Sequence, residues 1–257
     1  MFIEEQQKLR VEQRGQVGIA WTGQAGFAFK DVRGFVYHVD PYFSDACSRF
    51  IGYHRAVPPP VEAKDVKADY FLFTHEHRDH LDPDSVPIMA EANPNAVFVG
   101  PPSCLARLRE MGISSERITA LRRGESIPIG NAWVHAVPAF HTDDSVGYVL
   151  QFDDVTVYIT GDTVYSDELL SIGTYKPDVM MSCINGKLGC MNIADAARLA
   201  SRIQPKYAVP MHIQMFTENT ADPEEYVRQV EAYGGATKGF MMKMGQWYVF
   251  DLTRGFI

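Results

Sequence analysis

The sequence predicts a mixed α/β fold in which two β-sheets pack together and helices cover their outer faces. Short strand candidates broken by glycines open the chain at 16–21, 26–30 and 34–39. Each half then passes from strands into alternating helices and strands, as two helix-covered sheets require. With 257 residues, 46% hydrophobic and 22% charged, the chain can bury a large core, and we expect a single domain over 1–257.

The first half continues from these strands into a long loop and two helix–strand units. Residues 1–14 are highly charged and predict a helix or arm before the domain. Asp40-Pro41 ends the third strand, because proline has no N–H for the sheet, and 43–68 predicts an irregular loop. The following elements are predicted as a strand at 70–73, a helix capped by Asp82 or Asp84 and ending near Ala92, a strand at 96–99, a helix at 101–111, and strands at 117–120, 126–129 and 131–137.

The second half alternates strands with longer helices. Strands at 146–152 and 155–160 flank Asp153-Asp154, which predicts a hairpin. The remaining elements are predicted as a strand at 178–183, a helix capped by Asn192, a strand at 207–210, a helix at 222–233 and a closing strand at 246–252.

The densest group of metal-ligand side chains follows the strand at 70–73, in the sequence Thr-His-Glu-His-Arg-Asp-His at 74–80. Because side chains alternate along extended backbone, we expect His75 and His77 to point the same way. Asp79 and His80 fall where the chain must already have turned, so they can approach a second point. The spacing therefore predicts ligands for two neighbouring metal ions, which suits metal-assisted hydrolysis better than a structural zinc site.

Three more candidate ligands each lie shortly after a predicted strand: His141, Asp162 and His212. Side chains that follow strand ends converge on one edge of a sheet, where a cleft forms. One such histidine alone is most often a surface or core residue, but the seven positions together specify a metal site.

These seven positions resemble the signature of the metallo-β-lactamase superfamily, whose fold is a four-layer αβ/βα sandwich. The resemblance implies that His75, His77 and His141 hold one metal and that Asp79, His80 and His212 hold a second, with Asp162 bridging. The flavodiiron branch of the superfamily has glutamate at the position of His77, so the resemblance favours a hydrolase over a redox di-iron protein.

From Trp21 onward the chain also resembles the L-ascorbate-6-phosphate lactonase group. The matching segments are 21–27, 74–82, 99–101, 161–165, 209–212, 221–223 and 254–256. The chain is shorter than the established lactonase, and it differs near His141 and after His212, where Ile213-Gln214 stand. The resemblance implies a lactonase acting on a small sugar-derived substrate, phosphorylated or not.

Two divalent ions would share a water and lower its pKa, and the resulting hydroxide would attack a carbonyl or phosphoryl centre. Asp79 is the candidate catalytic residue, orienting the nucleophile and passing a proton to the leaving alkoxide. The ligands are nitrogen and oxygen without thiolate, which suits zinc, manganese or iron. Asn185, Lys187, Arg49 and Arg55 are candidate substrate contacts.

Two other functions stay open from the sequence: a phosphodiesterase acting on small nucleotides or phospholipid headgroups, and a metal-binding scaffold without activity. A net charge of -8 argues against nucleic-acid binding and leaves a small molecule as the expected partner, with homo-oligomers undecided. No apolar run reaches the roughly 20 residues of a membrane span, the N-terminus does not resemble a secretory signal, and four cysteines without a C-x-x-C pair predict free thiols. These features predict a cytoplasmic protein.

Overall fold

Two β-sheets form the centre of the protein, and the computed structural model describes residues 1–257. The strands are β1 Gln16–Gly23, β2 Gly26–Lys30, β3 Val36–Val39, β4 Tyr70–Leu72, β5 Val97–Gly100, β6 Ile118–Ala120, β7 Ser126–Ile129, β8 Ala132–Pro138, β9 Val146–Phe152, β10 Val155–Ile159, β11 Val179–Cys183, β12 Tyr207–Met211, β13 Lys238–Gly239, β14 Trp247–Asp251 and β15 Gly255–Phe256. The α-helices are α1 Phe2–Lys8, α2 Ala46–Ile51, α3 Ser85–Ala92, α4 Pro102–Glu110, α5 Ile193–Ile203 and α6 Pro223–Ala232, with 3-10 turns at Ala63–Asp65, Ser115–Arg117 and Asp167–Tyr175.

In each sheet, several strands run in the same direction, so their carboxyl ends lie at one edge. The first sheet has the order β15-β14-β1-β2-β3-β4-β5-β6, and the second has β13-β12-β11-β10-β9-β8-β7. Strands β3 to β6 are parallel, as are β10 to β13, and β8 runs in the direction of β10 because each is antiparallel to β9. Loops that leave the carboxyl ends of such strands are the usual place for a binding site.

The main core lies between the sheets. A cluster of 46 buried residues joins their inner faces, and Phe152 of β9 reaches across to Phe29 and Tyr37, with ring centroids 5.7 and 5.3 Å apart. A second cluster of 18 buried residues packs α1, α3 and α4 against the outer face of the first sheet. Helices α5 and α6 cover the second sheet. The predicted two-sheet sandwich with outer helices is confirmed.

Most predicted elements are present, and the differences concern short ones. The segment 43–68, predicted as a loop, contains α2 and a 3-10 turn, and the 3-10 turn Asp167–Tyr175 was not predicted. Strands β13 and β15 have only two residues each, and their partner strands define them. Segments this short leave too little periodicity for detection in the sequence.

Both ends of the chain pack against the first sheet. Helix α1 is the helix predicted within residues 1–14, and Phe2 packs on Trp247 with ring centroids 5.5 Å apart.

Of the two candidate caps for α3, the side chain of Asp82 accepts hydrogen bonds from the N–H groups of Asp84 and Ser85. None of the helices is both long and apolar enough to cross a membrane.

Candidate metal centre

The candidate ligands occupy the edge where parallel strands of both sheets end. The segment 74–80 follows β4 of the first sheet. His141, Asp162 and His212 follow β8, β10 and β12 of the second sheet. The sandwich thus brings together side chains that lie up to 137 positions apart in the sequence. Seven nitrogen and oxygen donors meet at one edge.

The segment 74–80 is a turn rather than the extended backbone that the sequence analysis assumed. Strand β4 ends at Leu72, and the N–H groups of His80 and Leu81 both donate to the carbonyl of His77, at 3.0 and 2.7 Å. His75 and His77 nevertheless converge, with Nε2 of His75 lying 3.1 Å from Nδ1 of His77. The turn, and not strand alternation, is the reason for their common direction.

The first ligand group consists of His75, His77 and His141. Nδ1 of His77 lies 3.1 Å from Nε2 of His75 and 3.1 Å from Nε2 of His141, and the three ligand atoms are all within 4.8 Å of one another. Imidazole nitrogens that face each other so closely repel through their lone pairs unless a proton or a cation lies between them. The donor set is that of a metal site with three histidines.

The second group consists of Asp79, His80 and His212, and Asp162 lies beside both groups. Oδ2 of Asp162 is 3.4 Å from Nε2 of His80 and 3.2 Å from Nε2 of His212. It is also 3.7 Å from Nε2 of His141, in the first group. Nε2 of His80 and Oδ1 of Asp162 are buried without any hydrogen-bond partner. A buried donor or acceptor left unpaired is costly, and a metal ion at this position would satisfy both atoms. The residues therefore fit divalent metal ions.

Charge balance inside the cluster shifts several pKa values. Although burial acts in the opposite direction, His80 and His212 hold the pKa of Asp79 and of Asp162 below its ordinary value. Conversely, and again against burial, Asp162 and Asp79 raise the pKa of His212 to about 10 and that of His80 well above its ordinary value. Burial keeps the pKa of His75 low, with the charge of His80 adding to the effect. Metal ions must therefore displace protons from the second group.

Asp40 supports the second group from behind, a role that the sequence analysis missed. His80 Nδ1 donates to Oδ2 of Asp40 at 2.8 Å, and Thr74 donates to the same carboxylate through its N–H at 2.8 Å and its hydroxyl at 2.6 Å. This contact fixes the His80 tautomer and leaves Nε2 free to bind a metal. The feature of the sequence that could have indicated this role is the position of Asp40 at the end of β3, the strand that pairs with β4.

Gln24, in the turn between β1 and β2, is a second missed residue. Its Nε2 donates to Oδ2 of Asp79 at 2.9 Å, while its carbonyl accepts the N–H of His212 at 2.9 Å. Both Gln24 and His212 have left-handed backbone, with φ of 51° and 61°. Gln24 thus ties together two ligands that come from different sheets.

Gly161 allows Asp162 to enter the centre. Its φ is +60°, and a Cβ at this position would lie 2.8 Å from the carbonyl oxygen of Val146. Only glycine meets both conditions without displacing a neighbour. The tight turn after β10 therefore depends on this residue.

Cys190 is the third missed residue, because the sequence analysis predicted a ligand set without sulfur. Its Sγ and the ligand atoms of His141 and Asp162 lie within 4.8 Å of one another. A hydrogen bond with Cys183, together with burial, raises the pKa of Cys190. The neutral thiol is therefore favoured at this position.

Comparisons with known proteins agree with this geometry. The sequence model of the Beta-lactamase superfamily domain matches residues 18–212, a range that contains all seven candidate ligands. A UPF0173 metal-dependent hydrolase of Archaeoglobus fulgidus is 33% identical over 207 residues, which cover 75% of this chain and 86% of the relative. The chain belongs to the metallo-β-lactamase superfamily. Within it, the chain belongs to the UPF0173 metal-dependent hydrolase family.

Solved structures place the chain among metallo-β-lactamase folds. Igni18, a metallo hydrolase of Ignicoccus hospitalis, is 25% identical with a TM-score of 0.74, covering 92% of this chain and 99% of Igni18. An isothiocyanate hydrolase from Delia radicum gut bacteria has a TM-score of 0.74 at 19% identity, covering 91% of this chain and 99% of that protein, which shows the fold alone. The predicted closeness to the L-ascorbate-6-phosphate lactonase group stays a prediction, since the UPF0173 relative's name specifies no substrate.

A cavity of about 420 Å³ opens beside this metallo-β-lactamase centre. Its lining residues are Cys47, Ile51, Tyr53, His77, Arg78, Asp79, His141, Asp162, Leu188, Cys190, His212, Phe216 and Asn219. Five of the seven candidate metal ligands, Asp79 among them, therefore face a space large enough for a small substrate.

The four predicted substrate contacts lie outside this lining. Both guanidinium nitrogens of Arg49 donate to Asp84 at 2.7 Å, and Arg55 donates to the carbonyls of Val57, Ser44 and Tyr42 at 2.8, 2.7 and 3.4 Å. Lys187 donates to the carbonyl of Glu218 at 2.8 Å. Asn185 is buried and donates to Oδ1 of Asn219 at 2.8 Å, so it positions a residue that does line the cavity. The three cations have protein partners, which disfavours the predicted role in binding an anionic substrate.

Proposed function

We propose that this metal-dependent hydrolase opens the carbonyl–oxygen bond of a lactone or related small ester and uses two divalent metal ions. The observation that carries the proposal is the pair of three-residue ligand groups, with Asp162 within 3.7 Å of a histidine from each. Ligands for two adjacent metals, open to a cavity, are the arrangement found in hydrolytic dinuclear sites.

His75, His77 and His141 would hold one ion, and Asp79, His80 and His212 the other, with Asp162 shared. Nitrogen and oxygen donors suit zinc or manganese, with iron as a third candidate. When bound, such ions supply a water of lowered pKa and polarise the carbonyl oxygen under attack. A lactone without a phosphate group is preferred to a phosphorylated one, because Arg49 and Lys187 donate hydrogen bonds to protein groups outside the cavity.

Asp79 is the residue that we assign to proton transfer. Its Oδ2 is held by Nε2 of Gln24 at 2.9 Å and lies 3.3 Å from Nε2 of His212, so the carboxylate has a fixed orientation at the cavity wall. Its pKa is held below the ordinary value, which keeps the carboxylate ionised. Asp79 would take a proton from the attacking water and return one to the leaving alkoxide oxygen.

The test uses protein reconstituted with zinc or manganese and assayed on γ-butyrolactone, γ-octalactone, bis(p-nitrophenyl) phosphate and cyclic nucleotides. We expect lactone hydrolysis to dominate. Asp79→Asn should lower kcat by about 100-fold or more. His77→Ala should lose metal as well. His135, a partly exposed histidine hydrogen-bonded to Ser126 and Gln151, lies outside the centre, so His135→Ala should retain both kcat and metal. Phosphodiester turnover far above lactone turnover, or full activity in Asp79→Asn, would overturn the proposal.

The predicted setting of the enzyme also remains a proposal. We infer a cytoplasmic protein with a small-molecule substrate, and its four cysteines are unpaired and buried, which supports a reducing compartment. Recovery of the native protein in a membrane or secreted fraction would contradict this location. Light scattering would decide whether copies of the chain associate.

A further inference from the structure

Exposed aliphatic side chains stand at the mouth of the metal-site cavity. Ile51, at the end of α2, is 54% exposed, and Leu188, in the loop after β11, is 65% exposed. Both line the cavity, together with Tyr53 and the buried Phe216. Exposed apolar side chains grouped around a polar centre mark a binding surface more often than scattered single ones do.

The backbone holds Leu188 in this position at a cost. Its φ is +52°, between Gly186 at +67° and Gly189 at +81°. A leucine in left-handed backbone is strained, and such strain concentrates at functional sites. The carbonyl of Gly189 also lies 3.2 Å from Nδ1 of His141. The loop that displays Leu188 therefore contacts a candidate metal ligand directly.

The second part of the rim, formed by α2 and the residues after it, is also held in place. Asp45 accepts the N–H of Arg55 at 3.0 Å, and Arg55 in turn binds backbone carbonyls on both sides of α2. The ring of Phe216 packs on Tyr53 with centroids 5.8 Å apart. The apolar wall is thus present before a substrate arrives, which lowers the entropy cost of binding.

Beyond the metal ions proposed for the centre, the cavity lining offers few cationic side chains to a phosphate group. Arg78 is the one lysine or arginine among the lining residues, and its guanidinium lies over the ring of Phe50, 4.0 Å from the centroid. Recognition of phosphate ordinarily uses paired donors from arginine, lysine or a helix N-terminus. A substrate with a phosphate and several hydroxyls would also have to desolvate them against Ile51 and Leu188.

We propose that the substrate carries an uncharged alkyl or aryl group next to the bond that is hydrolysed, and that this group packs on Ile51, Tyr53, Leu188 and Phe216. The inference rests on the proposed function and narrows it to lipophilic lactones or esters. Each methylene buried in this wall should raise kcat/KM about threefold to fourfold until the cavity is filled.

The experiment compares γ-butyrolactone, γ-hexalactone, γ-octalactone and 6-phosphogluconolactone as substrates of the metal-reconstituted enzyme. We expect kcat/KM to rise with chain length and to be lowest for the phosphorylated lactone. Leu188→Asn removes the apolar group while asparagine tolerates the left-handed backbone, and Ile51→Ser removes the other rim contact. Each should lower the ratio of γ-octalactone to γ-butyrolactone about fivefold. Ile88→Ser, an exposed isoleucine on α3 outside the cavity lining, should leave the ratio unchanged.

Calorimetric binding of butanoate, hexanoate and octanoate gives a measure that needs no turnover. Affinity that rises with chain length and falls in Leu188→Asn supports the inference even where no lactone is hydrolysed, and the proposed function alone would then be wrong. Lactone hydrolysis without chain-length dependence, or with a preference for the phosphorylated lactone, would overturn the inference and leave the proposed function standing. A dimer dissociated by Leu188→Asn with unchanged selectivity would also overturn it, and the rim would then be an interface between copies.

Discussion

Replacement of Asp40 by asparagine tests whether this residue supports metal binding in addition to stabilising the fold. Asp40 is fully buried, and its two oxygens accept three hydrogen bonds, from His80 Nδ1 at 2.8 Å and from the N–H and hydroxyl of Thr74 at 2.8 and 2.6 Å. Asparagine tolerates the left-handed φ of 46° at this position, so the backbone can persist. Its NH₂ group must, however, face one of these donors.

The loss has two measurable parts. One charge-assisted hydrogen bond is replaced by a contact between donors, which should reduce the free energy of unfolding by about 2–3 kcal/mol. His80 also loses the acceptor that fixes its tautomer, and changes of this kind typically lower metal affinity about 10-fold to 100-fold. Titration with a competing chelator measures the affinity, and urea unfolding of the metal-free protein measures the stability.

Asp31 supplies a matched control, because it is also buried and accepts three hydrogen bonds. They come from the N–H groups of Arg33 and Phe35 at 2.9 and 3.0 Å and from the hydroxyl of Tyr37 at 2.7 Å. Asp31→Asn should lose stability of similar size and keep its metal affinity. Equal metal affinity in Asp40→Asn and the wild type, or an equal loss in Asp31→Asn, would refute the assigned role of Asp40.

Three further predictions follow from backbone geometry and from the shifted pKa values. Gly161→Ala should lower the free energy of urea unfolding by about 2 kcal/mol or more. Gly34 has φ of +88° and open space around an added Cβ, so Gly34→Ala should lower the same free energy by only about 1 kcal/mol. Equal losses in the two variants would contradict the steric argument. Metal binding should tighten from pH 6 to pH 9 and release protons, because the pKa of His212 is about 10 and that of His80 is raised; calorimetric heats that do not depend on the ionisation enthalpy of the buffer would rule this out. Burial lowers the pKa of His38 to about 3 from 6.5, so its contribution to stability is complete above pH 6.5 and falls as the pH drops toward 3. At pH 4 the loss is about 3 kcal/mol, and His38→Phe should remove it; parallel losses in both proteins between pH 7 and pH 4 would count against this cause.

Local sequence patterns carried most of the secondary structure. Hydrophobic runs, glycine turns and side-chain caps such as Asn192, whose oxygen accepts the N–H of Asp195 at 2.9 Å, identify elements within a window of a few residues. The same patterns could not identify α2 or β13, because elements of six and two residues are fixed by what they pack against. Longer elements can therefore be predicted from the sequence, whereas the shortest ones cannot.

The sequence by itself determined the donor types and their placement after strand ends, since both depend only on local order along the chain. The tertiary structure decided which donors meet and what stands around them. Asp40 and Gln24 contact ligands that lie 40 and 188 positions away in the sequence. Arg49 and Arg55 donate hydrogen bonds to protein groups and do not line the cavity. Leu188 faces the cavity because a left-handed turn directs it there. These contacts depend on the packing of two sheets, which no local window of sequence contains.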